Sequence, residues 1–174
     1  MNHFTKLLLL LLSLVFNVTI YSQQSRITQT PTGITVACKD LMTELQVYSP
    51  SIIRVKKYPK EKTFNPQSLS VTASPVITPY TIKTKGTVVT LKTTELNASL
   101  DLNTGALTFT SANGTLLLRE QADGARFSPF NDAGNQTLSV KQTYLLDADE
   151  AIYGLGQQQK GKMIQRNLTL KMIQ

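Results

Sequence analysis

Asp147, Asp149 and Glu150 form the tightest gathering of groups able to do acid–base or metal chemistry in this sequence. Carboxylates so spaced hold a hard cation only when further oxygen ligands converge on them. No complementary ligand lies close by, so the cluster reads as a solvated connection after a strand. A second candidate is Gly154-Leu155-Gly156, with Gly161 five residues on. A dinucleotide loop needs a preceding parallel strand, a following helix and a third glycine at fixed spacing. Here Gln157, Gln158 and Gln159 come next, and then a strand-like run. A tight β-connection that needs positive φ fits better.

The inventory narrows the chemistry further. The only histidine is His3 and the only cysteine is Cys38. With His3 in the leader, Ser/His/Asp, Cys/His and His-based metal arrangements are excluded downstream of it. Cys38 closes the apolar run Ile34–Cys38 and reads as a small buried hydrophobe without a disulfide partner. No catalytic residue, no cofactor and no metal site is assigned. The chain has no Trp, which weakens a flat aromatic sugar-binding platform. Beyond the leader, four Asn-x-Ser/Thr acceptors, at Asn97, Asn113, Asn135 and Asn167, matter only on a eukaryotic secretory route.

Positioning these groups falls to the part of the chain beyond its leader. Residues 1–22 run from a polar stretch with Lys6 into the apolar segment Leu7–Phe16 and then to small residues at Ser22 and Ser25. That order predicts a secretory signal peptide cut near Ser22, leaving Gln23 first. The apolar run falls short of the ~20 residues that span a bilayer, so no stable membrane anchor is expected. The expected location is the periplasm or the cell exterior. Of 174 residues, 152 remain after that cut, enough for one domain, 23–174. Basic residues are dispersed, densest at Arg54, Lys56, Lys57, Lys60 and Lys62. Dispersed charge on an exported chain argues against nucleic acid as a partner.

The hydrophobic pattern is that of an all-β chain, an antiparallel β-sandwich. Expected strands are Gly33–Cys38, Thr43–Tyr48, Ser51–Tyr58, an edge strand Ser68–Ala73, Thr87–Thr93, Leu96–Leu102, Ala106–Ser111 and Thr115–Glu120. The last four form a meander, turned at Asn103-Thr104-Gly105 and at Asn113-Gly114, the latter with both residues at positive φ. Ala122–Gln136 reads as a polar loop, and Thr137–Leu146 and Asn167–Ile173 as two further strands. The final run alternates Leu168, Leu170 and Met172 with no turn after it, which suggests a sandwich truncated inside a strand.

At Asp149–Gly161 the stretch DEAIYGLGQQQKG is similar to a segment of the N-terminal sandwich of glycoside hydrolase family 31, the α-glucosidases and α-xylosidases. LMTELQVYSPSIIRVKKYP and ALTFTSANGTLLLRE resemble that family's early strand and its hairpin, in order. Tyr153, Gly154, Gly156 and Gln157 match its motif positions, as structural residues. A Gln at the mature N-terminus resembles exported polysaccharide-utilisation enzymes of bacteria of the Bacteroidetes type.

The resemblance implies a galactose-mutarotase-like sandwich packed on a (β/α)8 barrel that carries both catalytic Asp residues. No position of this chain matches those residues. The expected partner is an oligo- or polysaccharide met through the parent enzyme, and the expected role is a support and pocket rim for cleavage of α-glucosides or α-xylosides. Glycoside hydrolysis needs two carboxylates ~5–5.5 Å or ~6.5–9.5 Å apart, and the eleven acidic residues here are scattered among turns and loops. The alternative is a free-standing carbohydrate-binding or adhesion module.

Overall fold

The computed structural model describes residues 27–63, 68–154 and 161–170. The chain divides into two compact units, Met1–Tyr144 and Leu145–Gln174. The signal-peptide segment lies outside the described residues.

Four strands run in chain order as one antiparallel sheet: β1 (Ile27–Thr30), β2 (Gly33–Cys38), β3 (Leu41–Ser49) and β4 (Ile52–Pro59). A second antiparallel sheet holds β5 (Thr81–Lys85), β6 (Val88–Lys92), β7 (Leu96–Asp101), β8 (Leu107–Ser111) and β9 (Leu116–Glu120). Next in the chain, β10 (Arg126–Asp132) and β11 (Asn135–Lys141) form a separate hairpin. The two-residue β12 (Tyr144–Leu145) then returns to adjoin β9. Among the described residues there is no helix.

The sheets stack because each has one apolar face. Side chains alternate across a strand, so Ile34, Val36 and Cys38 of β2 point the same way as Leu45 and Val47 of β3. Val89, Leu91, Ala98, Leu100 and Leu107 do the same in the second sheet. These ten residues form one buried cluster, five from each sheet. Each fully buried Val, Ile or Leu adds roughly 1.5–3 kcal/mol of transfer free energy relative to exposure.

Polar contacts fix the two ends of the stack. Thr93 Oγ1 donates to the Pro50 carbonyl at 2.5 Å, joining the β6–β7 connection to the β3–β4 turn. The Tyr80 hydroxyl donates to the Gly33 carbonyl at 2.8 Å and also to that of Thr30. Gly33 itself has φ 154°, and a Cβ there would stand 1.9 Å from the Leu45 carbonyl oxygen. Only glycine lets β2 approach β3 this closely.

Several expectations are corrected. Ser68–Ala73 is not a strand: it pairs with nothing, and Leu69 is 98% exposed. Ala122–Gln136 is not a loop, since β10 and the first residues of β11 together fill most of it. Thr137–Leu146 divides into β11 and β12, with Gln142 and Thr143 between. The described part of Asn167–Ile173 carries no strand, and Asn167 has φ 61°, which breaks an extended run. Residues 171–174 lie outside the described residues. At Asn113-Gly114 only the glycine has positive φ, because the Asn113 carboxamide oxygen holds the turn by accepting from Thr115 N at 3.2 Å and Thr115 Oγ1 at 3.0 Å. Strands β1 and β5 are additions that the hydrophobic pattern does not predict.

Candidate functional site

The most buried charges of the first unit are Lys57 and Glu120, whose side chains are 8% and 6% exposed. Strand parity puts them there. Lys57 follows Ile53 and Val55 on the inward face of β4, and Glu120 follows Leu118 on the inward face of β9. Lys57 Nζ is ion-paired with Glu120 Oε2 and also donates to the Gly105 carbonyl at 2.9 Å. The same Glu120 oxygen accepts from Leu107 N at 2.9 Å. A buried charge is tolerated only when paired and hydrogen-bonded. This pair meets both conditions and bridges the two sheets.

Lys57 and Glu120 border a cavity of about 200 Å³ with Phe109, Leu118, Phe127 and Tyr144. Glu120 is its one lining carboxylate. A cavity of about 370 Å³ nearer the hairpin is lined by two, Asp40 and Asp123. Asp123 Oδ1 is held by Lys39 Nζ at 2.5 Å, and both of these side chains are about half exposed. Their backbones are left-handed, with φ 50° at Lys39 and 53° at Asp123. Water-exposed charges paired in this way make a surface ion pair, worth little. Among the described residues no three His, Cys, Asp or Glu side chains gather as a metal site.

Around these cavities the sandwich is open. Leu116, Leu117 and Leu118 are consecutive and exposed on β9, with Leu117 at 54%. Ile52 of β4 and Phe130, Leu138 and Val140 of the hairpin are also exposed, Val140 at 64%. In the hairpin register, Phe127 faces Val140 and Pro129 faces Leu138, so one face is apolar. A groove of about 790 Å³ lies between that face and Tyr58 and Pro59 at the end of β4. Three exposed leucines in a row make this the most apolar exposed run of β9, the kind of patch that interaction surfaces carry.

In the second unit, Asp147, Asp149 and Glu150 lie in a closed turn. Glu150 N donates to the Asp147 carbonyl at 3.2 Å, and Asp147 N donates to Glu150 Oε2 at 3.2 Å. Arg166 Nη1 then donates to the Asp147 carbonyl at 2.8 Å and to that of Glu150 at 2.5 Å. The cluster is therefore a turn clamped by an arginine. Tyr153 is 63% exposed, and Gly154 has φ 84° with open space where a Cβ would be. The positive φ is the conformational reason for that glycine. Gly156 and Gln157 lie outside the described residues.

Sequence reasoning finds neither Arg166 nor the Lys57–Glu120 bridge. The bridge has a readable signal, a Lys and a Glu each at the inward parity of an otherwise apolar strand. The arginine has none, because its carbonyl partners sit 16 and 19 residues away.

Known proteins share this architecture. A family model of the glycosyl hydrolase 31 N-terminal galactose mutarotase-like domain matches residues 42–173. A GH31 α-xylosidase from Xanthomonas citri is 35% identical and superposes with a TM-score of 0.70 over 79% of this chain. A GH31 α-xylosidase from a soil metagenome, solved with xylose, is 18% identical with a TM-score of 0.62 over 80% of this chain. An uncharacterized protein of Listeria monocytogenes, solved with glucose, magnesium and calcium, is 20% identical with a TM-score of 0.58 over 76%. The last two show the shared fold. The chain spans 15%, 23% and 12% of those three proteins respectively.

Proposed function

The chain belongs to glycosyl hydrolase family 31 through its N-terminal galactose mutarotase-like domain, and from this we propose that it is the front module of an exported α-glycosidase acting on α-xylosides or α-glucosides. The observation that carries the reading is the match over residues 42–173, together with 35% identity to an α-xylosidase of which this chain spans 15%. That identity favours α-xylosides as the substrate class. The module's role is to support the catalytic part and shape one rim of its pocket. It has no hydrolytic activity of its own.

The open flank supports the buttressing role. Exposed Leu116–Leu118 and the apolar hairpin face offer the surface on which the rest of a glycosidase chain packs. The leader pattern of residues 1–22 supports export. Reading the gene past codon 174 tests the assignment. An in-frame continuation encoding a barrel with two catalytic Asp residues supports it, and unrelated sequence after a stop codon sinks it. Export is checked separately, by N-terminal sequencing of secreted or periplasmic product for a start at Gln23.

A further inference from the structure

We propose that the connection between β4 and β5 is a proteolytic processing site, cut between Leu69 and Ser70 by an endoprotease whose pocket takes an aliphatic side chain. The sandwich then persists as two chains joined without a covalent bond. This does not rest on the glycosidase reading and uses residues that reading leaves idle.

The other connections among β1–β12 are five residues or fewer. This one runs from the end of β4 at Pro59 to the start of β5 at Thr81. It exceeds the about 12–15 residues at which a loop without secondary structure becomes uncommon and is usually functional or a linker. Both of its ends are anchored. Lys60 N donates to the Asp40 carbonyl at 2.8 Å, and Lys62 N to that of Pro59 at 3.0 Å. At the far end the Tyr80 hydroxyl donates to the Gly33 carbonyl at 2.8 Å.

Between the anchors, residues 68–78 carry no strand. Among the described residues, the hydrogen bonds of this stretch stay within it. Val71 N donates to Ser68 Oγ at 3.1 Å, and Thr78 Oγ1 to the Val76 carbonyl at 3.2 Å. An enzyme that takes a peptide as an added strand needs backbone groups open to pairing and side chains that reach its pockets. In the sheets those backbone groups are engaged with each other, whereas in residues 68–78 they are open. Leu69 is 98% exposed and Ile77 78%, so a pocket can take either without unfolding. Leu69 is the better anchor. It is not branched at Cβ, and no proline follows it for five residues, while Ile77 lies between Pro75 and Pro79, which cannot donate to such a pairing. Hydrolysis adds one water across the bond, leaving a carboxylate on Leu69 and an ammonium on Ser70.

The break falls between the two sheets. Strands β1–β4 lie in the piece that ends at Leu69, and β5–β12 in the piece that begins at Ser70. Each piece supplies five residues of the buried cluster. The Thr93–Pro50 and Tyr80–Gly33 hydrogen bonds and the Lys57–Glu120 ion pair also join the two pieces. None of these contacts uses residues 68–78, so hydrolysis leaves them in place. What changes is unfolding, which becomes a dissociation and depends on concentration.

The test is a timed digestion of the full 174-residue chain with subtilisin, whose broad specificity lets the fold select the site. Products are mapped by mass spectrometry and N-terminal sequencing. The expected result is an early product starting at Ser70 that stays with its partner piece in gel filtration and leaves it only in urea. Leu69→Asp and Ser70→Pro should each slow this cut about tenfold, with the Tm of the intact chain unchanged. Leu100→Ala, which weakens the core, should not alter its rate, because no unfolding precedes it. The Tm of the nicked protein should rise with protein concentration, unlike that of the intact chain. Survival of residues 68–78 while other bonds are cut overturns the proposal. So does a cut that Leu100→Ala accelerates, a cut that neither Leu69→Asp nor Ser70→Pro slows, or pieces that part in native buffer. None of these outcomes bears on the sequence beyond codon 174, so the two readings fail separately.

Discussion

The centre of the sandwich and its β4–β9 flank are made of similar strands but end in opposite states. At the centre, β2 and β3 face β6 and β7, and the core residues there are sealed from water. On the flank, the inward-facing Ile53, Val55 and Phe109 are only partly buried, and Leu116–Leu118 are exposed. Strand propensity alone does not distinguish the two regions. What differs is whether a second apolar layer is present, so the centre is a sealed core and the flank is an apolar face open to water. At the boundary between them sits the Lys57–Glu120 bridge.

That boundary offers the largest way to sharpen the contrast. Lys57→Ala leaves Glu120 buried without its cation and should cost about 3–5 kcal/mol, measured by urea unfolding. Combining Lys57→Met with Glu120→Leu should recover most of that loss. The residual deficit comes from the Leu107 N–H and the Gly105 carbonyl, which lose their partners. If the double variant is no better than the single one, the two charges do not act as one unit.

The second test sets one leucine against another. Leu100→Ala at the centre should lose about 2–5 kcal/mol, while Leu117→Ala on the flank should change stability by no more than about 0.5 kcal/mol. Leu117→Ala should also reduce self-association in light scattering. Equal losses at the two sites would erase the distinction. Gly33→Ala comes next: its methyl meets the Leu45 carbonyl, and relieving the clash by backbone shift should cost about 2–3 kcal/mol, seen as a lower Tm.

The smallest effect is a pH dependence on the sheet face away from the core. The folded-state Tyr58 hydroxyl, at about 12, lies above its ordinary value of 10.0, mainly through the hydrogen bond to Glu44. The folded chain therefore holds this proton more tightly than the unfolded chain. Its contribution is fully present below pH 10 and is lost as pH rises from about 10 to about 12. Tyr58→Phe should flatten that part of the stability profile, and ultraviolet titration should show one fewer late-ionising tyrosine.

The sealed core is the most legible part of the sequence. Ile34, Val36, Leu45 and Val47, and then Val89, Leu91 and Leu100, alternate cleanly because one face of each strand is dry and the other is wet. Strand β1, ITQT, and strand β5, TIKTK, are edge strands with too few apolar residues to show that alternation. The hairpin turns mislead for a local reason. Asn-Gly at 113–114 carries the usual turn signature, yet the Asn113 side chain braces the turn and only Gly114 is left-handed. The two-residue turn with both φ positive is Ala133-Gly134, φ 48° and 94°, steadied by Asn131 Oδ1 accepting from Gly134 N at 2.8 Å. Alanine is not a residue the turn rules select there, so β10 and the first residues of β11 are hidden inside an apparent loop. The family motif is legible at Tyr153 and Gly154 as residue types, whereas the clamp by Arg166 depends on tertiary placement.

The bridge between the sheets also constrains how this domain can change over time. Losing either charge strands the other in a dry setting, so a lineage that replaces Lys57 or Glu120 singly passes through a poorly folded intermediate. Relatives should therefore keep both charges or exchange both for apolar residues. Two positions 63 residues apart become one heritable unit, a coupled pair by which the matching strands can be found in distant members of the family.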